Sequence, residues 1–277
     1  MDKSRYFPLA LVAPALLLVA GLFLYPLGYS AVSSFQDRAG VWIFGNFLKA
    51  FEYYSQDLGF TVVIVALSTM AIGFFACTIG GYLILGENPR AVAILKWLYR
   101  WPLFIPFIVA GQLMRTFLAK NGMMNNILVS SGIIEPLQAV GLLDWRGIAI
   151  TFIWKQTPFV ALLVAGAMAS LDRSTIEAAR NLGAGRIRIL IQIVIPQVRQ
   201  TLAVGLILSF VTIMSVLSVP LMINAETPTM ITVDMAFRIN SYGDYGVANA
   251  LGFISYLMAG TVAWFYLSQG VRKGERP

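Results

Sequence analysis

An all-α integral membrane protein with six transmembrane helices is the fold this sequence predicts, and three observations carry that reading. Hydrophobic residues make up 58% of the 277 and charged residues only 12%, against about 25% charged in a typical soluble domain. The uncharged stretches form six windows, 6–36, 58–86, 101–114, 156–171, 200–225 and 245–271. The charges between those windows are sorted by sign, as the two faces of a bilayer require.

The first window follows Lys3 and Arg5 and predicts a span over about 7–35. Its apolar run is about twice the length of a signal-peptide core and has no small-residue cleavage site, so it reads as a retained anchor. Pro14 and Pro26 lie inside it; Pro26 is expected to end or kink the helix near the outer interface, with Tyr25 and Tyr29 in the aromatic belt. The segment 36–57, with Phe44, Phe47, Phe51, Tyr53 and Tyr54, reads as an external amphipathic interfacial helix. A second span covers about 60–86.

The third and fourth windows are shorter than the ~20 residues needed to cross about 30 Å of hydrocarbon. They therefore extend to about 97–119, which takes in Arg100 near its inner end and Arg115, and 147–170, which takes in Lys155. Arg115 lies near a helix end and can snorkel outward, whereas Lys155 is deeper and is expected to snorkel or to be paired. The fifth and sixth spans cover about 200–223 and 247–270. These spans and their loops fill the chain as one membrane domain, 1–277, leaving no room for a catalytic domain of about 100 residues.

An N-in, C-in arrangement places Lys3, Arg5, Arg90, Lys96, Arg100, Arg173, Arg180, Arg186, Arg188, Arg199, Arg272, Lys273 and Arg276 inside, 13 of the 20 basic residues. It places Asp37, Glu52, Asp57, Glu135, Asp144, Glu226, Asp234 and Asp244 outside, 8 of the 13 acids. This is the positive-inside asymmetry. It also accounts for the net charge of +7 without a nucleic-acid partner, because the basic residues are scattered between apolar runs. A lone cysteine, Cys77, and the absence of histidine argue against disulfide, metal and acid/base chemistry.

The segment 172–196, DRSTIEAARNLGAGRIRILIQIVIP, is a charged insert between spans four and five. Ser174 and Glu177 fit a capping box that starts a helix. Gly183 and Gly185 tolerate a left-handed backbone that ends it and turns the chain. Ile187, Leu190, Ile191, Val194 and Ile195 then fall at i, i+3, i+4, i+7 and i+8, an amphipathic stripe closed by Pro196. Two short helices around a bend are expected, with one apolar face turned to cytosol or a partner.

Within it, Glu177, Ala178 and Ala179, then Gly183, Ile193, Ile195 and Pro196 stand at the spacing of the EAA loop, and the segment resembles that of binding-protein-dependent ABC importer permeases of the maltose-type sugar group. The departure is Ile195 where the family has leucine, a near volume-conserving change. The six spans, the insert's position, and the patterns PALLLVAGLFLYPLGYSAVSSF, WKQTPF and YGDYGVANAL extend the resemblance over nearly the whole chain.

What the resemblance implies is a transmembrane subunit of an ATP-driven importer in a bacterial or archaeal plasma membrane. The loop would dock on a separate ATPase, with Glu177 and Arg180 at the rim, Ala178 and Ala179 permitting close approach, and Gly183, Ile193 and Pro196 shaping the elbow. Its other reading is structural: Glu177 completes a capping box and Gly183 is an ordinary helix cap.

For the substrate path the residues are Lys155 and Gln156 on span four and Ser209, Thr212, Ser215 and Ser218 on span five, the last four recurring every third residue. Serine and threonine in spans also bond their own helix carbonyls or tie helices together. The final external loop, 224–245, with Asp234, Arg238 and Asp244 and the turn Gly243-Asp244-Tyr245-Gly246, faces an external binding protein by the same resemblance, or else is a solvated connector.

The chain has no GxxxxGK[ST] sequence, so ATP and Mg belong to two copies of a partner ATP-binding subunit. The remaining implied partners are a second permease, forming a heterodimer or a homodimer, an external solute-binding protein and membrane lipid. The expected cargo is a sugar or sugar derivative, with a polyamine as the alternative. No acid lies within a predicted span, which favours a neutral polyol. An ion-coupled carrier is the rival of another class; such proteins place carboxylates or histidines in the membrane, and no inverted repeat is evident. A membrane enzyme would need a convergent set of reactive groups, which is absent from the sequence.

Overall fold

The computed structural model of the chain describes residues 3–37, 39–224 and 226–274, with side chains described within 11–264. Arg276 therefore lies outside the described residues, as do the side chains of Lys3, Arg5, Arg272 and Lys273. The described residues form helices in the order α1 (Lys3–Val19), α2 (Tyr25–Ser34), α3 (Gly45–Leu85), α4 (Pro89–Leu98), α5 (Phe107–Leu118), α6 (Met123–Ser130), α7 (Trp145–Ala169), α8 (Arg173–Asn181), α9 (Arg186–Ile189), α10 (Ile195–Ser215), α11 (Ser218–Ile223), α12 (Ile231–Tyr242) and α13 (Tyr245–Gly274). Five helices are long and apolar enough to cross a membrane, or up to six if the bent pair 89–104 and 107–130 is one span. The chain forms two compact units, Met1–Gln56 with Asp234–Met258, and Asp57–Val233 with Ala259–Pro277.

In the first unit, Pro26 neither ends nor sharply interrupts the first span, contrary to expectation. A π-helical turn, Ala20–Leu24, runs directly into α2, where Pro26 occupies the first turn. Proline has no N–H and its ring collides with the carbonyl four residues back; widening the turn by one residue removes that collision. Asn46 Nδ2 donates to the Ser34 and Gln36 carbonyls at 3.0 and 2.8 Å, closing the end of α2. Phe35, Phe44, Phe47 and Phe253 pack their rings together around it.

The expected interfacial helix over 36–57 is not a separate element. Helix α3 begins at Gly45 and runs for 41 residues into the second span, because no proline or turn cluster separates the aromatic segment from the apolar one. The loop expected over 224–245 is also largely helical, as α12. Gly243, at φ +58°, ends α12, and Asp244 starts α13 by accepting the Val247 amide at 3.3 Å.

In the second unit, α7 and α10 pack through Gly205, whose missing side chain would stand 3.2 Å from Val160 Cγ1. Phe152, Val160, Val164 and Ile213 are fully buried there. The straight third span expected over 97–119 is replaced by two helical pieces meeting at a 109° bend. Pro102 and Pro106 are the cause. Pro102 opens a 3₁₀ turn, Trp101–Phe104, and Pro106 stands as the residue before α5, so two consecutive turns lack amide donors for a continuous helix. The fifth span likewise differs from 200–223: helix runs from Arg186 to Ser215, stops, and resumes as α11.

Thr229 and Ile231, which lead into α12, are held from α3. The Thr229 amide donates to Asp57 Oδ1 at 2.8 Å and the Ile231 amide to Thr61 Oγ1 at 2.9 Å. A carboxylate beside the first amides of a helix is favourable for both partners. Asp57 is thus committed to structure.

Candidate coupling surface and translocation residues

The segment 172–196 is a capped helical hairpin, with two corrections. Helix α8 starts two residues earlier than expected: Asp172, not Ser174, is its N-cap, accepting the Ser174 amide at 2.9 Å and the Ser174 hydroxyl at 2.6 Å. Aspartate caps as well as serine does, and its charge also meets the positive end of the helix dipole. At the other end Gly183 has φ +78°. Its amide reaches the Arg180 carbonyl, and the Ala184 amide reaches that of Ala179, at 2.9 and 3.0 Å. This pair of bonds is the Schellman closure that a left-handed residue makes possible. Gly185 does not share that conformation; it is extended and precedes α9.

The second correction concerns Pro196, which does not close a short helix. A π-helical turn, Leu190–Val194, joins α9 to α10, and Pro196 sits in the first turn of α10, the same device used at Pro26. The extra residue also shifts the helix phase, so the expected stripe splits. Val194 is buried together with Ile189, whereas Ile187 and Ile191 are 74% and 58% exposed. Leu182 at the bend is 89% exposed. Glu177 and Ala178 on α8 are exposed as well, so the open side chains of the hairpin include Leu182, Ile191, Glu177 and Ala178, while Ile187 also lines a small hollow with Gly81, Tyr82 and Leu85 of α3. Ala179 and Ile193 are half-buried and Pro196 is exposed.

The opposite face is braced against the end of α3. Ile176 is 7% exposed and anchors α8. Arg180 Nη2 donates to the Leu85 carbonyl, the last of α3, at 3.4 Å, and Arg186 pairs with Glu87. Arg180 therefore holds a helix end. Gly80 and Gly81 make the contact close: a Cβ on Gly80 would stand 2.9 Å from Met168 Sδ, and one on Gly81 2.7 Å from Leu190 Cδ1. Two adjacent glycines thus let α3 touch both flanks of the hairpin, a feature not anticipated from sequence.

The Ser174 hydroxyl, then its amide, hold the Asp172 carboxyl below its ordinary range. Because the folded value is depressed, the stabilisation is present above the unfolded value of about 3.9 and is lost as pH falls through the folded one. Asp172→Ala is expected to speed amide exchange several-fold in the first turn of α8 at neutral pH, and Asp172→Ser to retain most protection. Exchange measured by mass spectrometry on the two variants checks this.

In the membrane-spanning region, Lys155 and Gln156 are both buried in α7. Lys155, 7% exposed, does not snorkel and has no carboxylate partner among the described residues. Its Nζ donates to the Leu103 carbonyl at 3.5 Å and lies 5.0 Å from the Phe107 ring centroid, which puts the cation at the break in the third span. A broken helix leaves carbonyls without intrahelical partners, and an ammonium satisfies one. Arg115 does the same for α11, donating to the Met222 carbonyl at 2.7 Å, rather than only reaching outward.

Gln156 Nε2 donates to Ser209 Oγ at 3.2 Å, a buried link between α7 and α10. Thr212 and Ser215 return to their own helix, on the Leu208 and Val211 carbonyls at 2.7 and 2.9 Å. Ser218 lies past the end of α10 and begins α11. The four hydroxyls therefore do not line one continuous helix.

Of the three residues expected on the external side, Arg238 and Asp244 meet each other at 3.4 Å. Arg238 Nε donates to the Tyr54 hydroxyl, and its guanidinium stacks within 5.1–5.7 Å of the Tyr53, Tyr54 and Tyr242 ring centroids. Such stacking is favourable for a desolvated guanidinium. Asp234 is 9% exposed in the first turn of α12.

A family model described as the binding-protein-dependent transport system inner membrane component matches residues 58–268. The sulfoquinovosyl glycerol transport system permease protein SmoG of Agrobacterium fabrum is 25% identical, over 95% of this chain and 90% of that protein. The trehalose/maltose transport system permease protein MalF of Thermococcus litoralis is 26% identical, over 80% of this chain and 76% of that protein. A chain of the bacterial alginate ABC transporter, solved with an alginate pentasaccharide-bound periplasmic protein, has the same fold, with a TM-score of 0.80 at 20% identity over 99% of this chain and 97% of that one. The matched region holds α7, the capped hairpin and α10 together, and with it the chain belongs to the family of binding-protein-dependent transport system inner membrane components, the non-enzymatic membrane subunits of ABC importers.

Proposed function

We propose that the chain forms half of the translocation path for a sugar or sugar derivative and takes its driving force from a separate ATPase docked on 172–196. The observation that carries this is the hairpin's exposed apolar side chains, Leu182, Ile187 and Ile191, with exposed Glu177, on an element fixed to the end of α3. A stiff element with one free apolar face can pass on a rigid-body displacement, whereas a flexible linker absorbs it. Sugar as cargo is supported by the relatives' names, SmoG and MalF. In this reading the N- and C-termini are cytoplasmic, a second permease completes the path, two ATPase copies hold ATP and Mg, and an external binding protein delivers the solute. The membrane is the plasma membrane of a bacterium or archaeon.

Gln156 and Ser209, as a buried polar link between α7 and α10, are the path residues best supported. Of the external candidates, Arg238 and Asp244 are the partly exposed ones, whereas Asp234 is buried and serves the contact only indirectly. A polyamine cargo is less well supported, because Asp57 is committed to the Thr229 amide and α7, α10 and α11 carry no acid.

The test is reconstitution of the chain with its partner subunits in proteoliposomes. The expected result is uptake that needs both internal ATP and the external binding protein, and crosslinking from cysteine at position 182 or 187 to the ATPase. Uptake driven by a proton gradient without ATP would overturn the proposal.

A further inference from the structure

Lys96 near the end of α4, Arg100 just beyond it, and Arg173, the first residue of α8, line a cleft of about 360 Å³ between the ends of α3 and α7. Its other walls are mainly apolar. No carboxylate neutralises these cations: the ion pairs among the described residues are Arg146–Asp144, Arg186–Glu87 and Arg238–Asp244. Arg100 makes only neutral contacts, its Nε donating to the Tyr99 hydroxyl at 3.3 Å with the guanidinium 5.5 Å from that ring. Lys96 and Arg173 are exposed and Arg100 is half-buried, so the three cations at the mouth of a partly apolar cleft offer an anionic headgroup a site at the membrane surface.

A second hollow starts where the cleft stops. Tyr99, 7% exposed, also lines an apolar groove of about 600 Å³ with Ile79, Leu98, Pro102 and Trp154. From Trp154 in the groove to Gly166 in the cleft is twelve residues of α7, about 18 Å of helix, close to the ~15 Å depth of one hydrocarbon leaflet. Trp97 and Trp101, 62% and 55% exposed and 4.8 Å apart in an edge contact, flank the same cations. Tryptophan of this kind marks the headgroup level of a bilayer. The order along the helix is that of a phospholipid: charge, interface, then hydrocarbon.

We propose that the cleft and groove hold one anionic phospholipid of the inner leaflet. Its phosphate sits among Lys96, Arg100 and Arg173, and one acyl chain lies along Tyr99 toward Trp154. The leaflet assigned rests on the N-in orientation proposed above. The lipid joins α4 to the first turn of α8, so it steadies the entry to the coupling hairpin.

The experiment purifies the complete importer complex from a membrane containing phosphatidylglycerol, exchanges it into phosphatidylcholine nanodiscs, and counts retained phosphatidylglycerol by mass spectrometry. Wild type is expected to retain about one molecule per copy of this chain, and the triple variant Lys96→Gln, Arg100→Gln, Arg173→Gln at least tenfold less. Where the triple variant does not assemble, Arg100→Gln alone, expected to lower retention several-fold, carries the test. Equal retention in the variants overturns the proposal. So does displacement of the lipid by millimolar inorganic phosphate, which would make the cleft a soluble-anion site. Loss of the ATPase subunit from the Arg100→Gln complex would assign the cations to a protein interface and also overturn it. Failure of the transport reading shows separately, as wild-type complex without ATP-driven uptake in any lipid. Failure of the orientation shows as labelling of a cysteine at position 173 by an impermeant reagent from outside.

Discussion

Replacing Gly183 with aspartate is expected to leave the protein in the membrane while abolishing solute uptake and stimulation of the partner ATPase. The cause is conformational, because a Cβ at Gly183 meets nothing within 4 Å. Its φ of +78° costs an L-residue roughly 1–2 kcal/mol, and a negative charge at a helix C-terminus adds about 0.3–1 kcal/mol. Helix α8 has nine residues, fewer than the ~12–15 that hold a helix unaided, so it depends on its caps and on buried Ile176. Opening the Schellman closure frees the Arg180 and Ala179 carbonyls and redirects Leu182. Gly183→Asn, which tolerates the left-handed region better and adds no charge, is expected to retain measurable uptake. Membrane abundance, uptake and ATPase rate in the reconstituted complex check the pair. Wild-type transport by Gly183→Asp would remove the docking role.

The helical class and the bend of the hairpin at Gly183 were legible because each has a local signal. Apolar runs mark spans, and a glycine needing φ above zero marks a bend. What escaped prediction depends on two segments meeting. Prolines 26 and 196 each follow a π-helical turn, and no residue type in those turns distinguishes them from α-helix; the expected breaks and the expected Ile187-to-Ile195 stripe failed for that one reason. Capping was misassigned between Asp172 and Ser174, which are both competent caps two residues apart.

The third span shows the same limit at larger scale. Pro102 and Pro106 were visible, but the length rule forced one straight helix through them. The break becomes tolerable because Lys155, from another helix, reaches the freed Leu103 carbonyl. Arg115 at Met222 and Arg180 at Leu85 repeat the pattern. Three cations that sequence reasoning treated as snorkelling or partner-facing instead answer helix-end carbonyls, which inside a bilayer have no water to turn to. Gln156 was singled out, but its partner Ser209 was grouped with Thr212 and Ser215 by spacing alone, whereas burial separates them.

Gly81→Val is expected to lower ATP-driven uptake at least tenfold, and Leu190→Ala in the same chain to restore most of it. The added Cβ would stand 2.7 Å from both Leu190 methyl carbons, inside van der Waals contact, and overpacking of this kind typically costs about 1–3 kcal/mol. Turning the Leu190 methyls aside relieves part of the strain, but Leu190 Cγ would also stand only 3.3 Å from the new Cβ, so the rest is relieved by moving the hairpin away from α3. That movement also pulls Arg180 from the Leu85 carbonyl, four residues along the same helix, so the bracing fails at two points together. Leu190→Ala removes the colliding methyls and leaves space for valine, so the double variant tests contact rather than stability. Gly59→Val in the same helix, where a Cβ meets nothing within 4 Å, is expected to transport normally. Parallel uptake measurements on wild type, Gly81→Val, Leu190→Ala, the double variant and Gly59→Val check the argument. An additive loss in the double variant would place the effect of Gly81 elsewhere in α3 and leave the hairpin's rigidity without its main support.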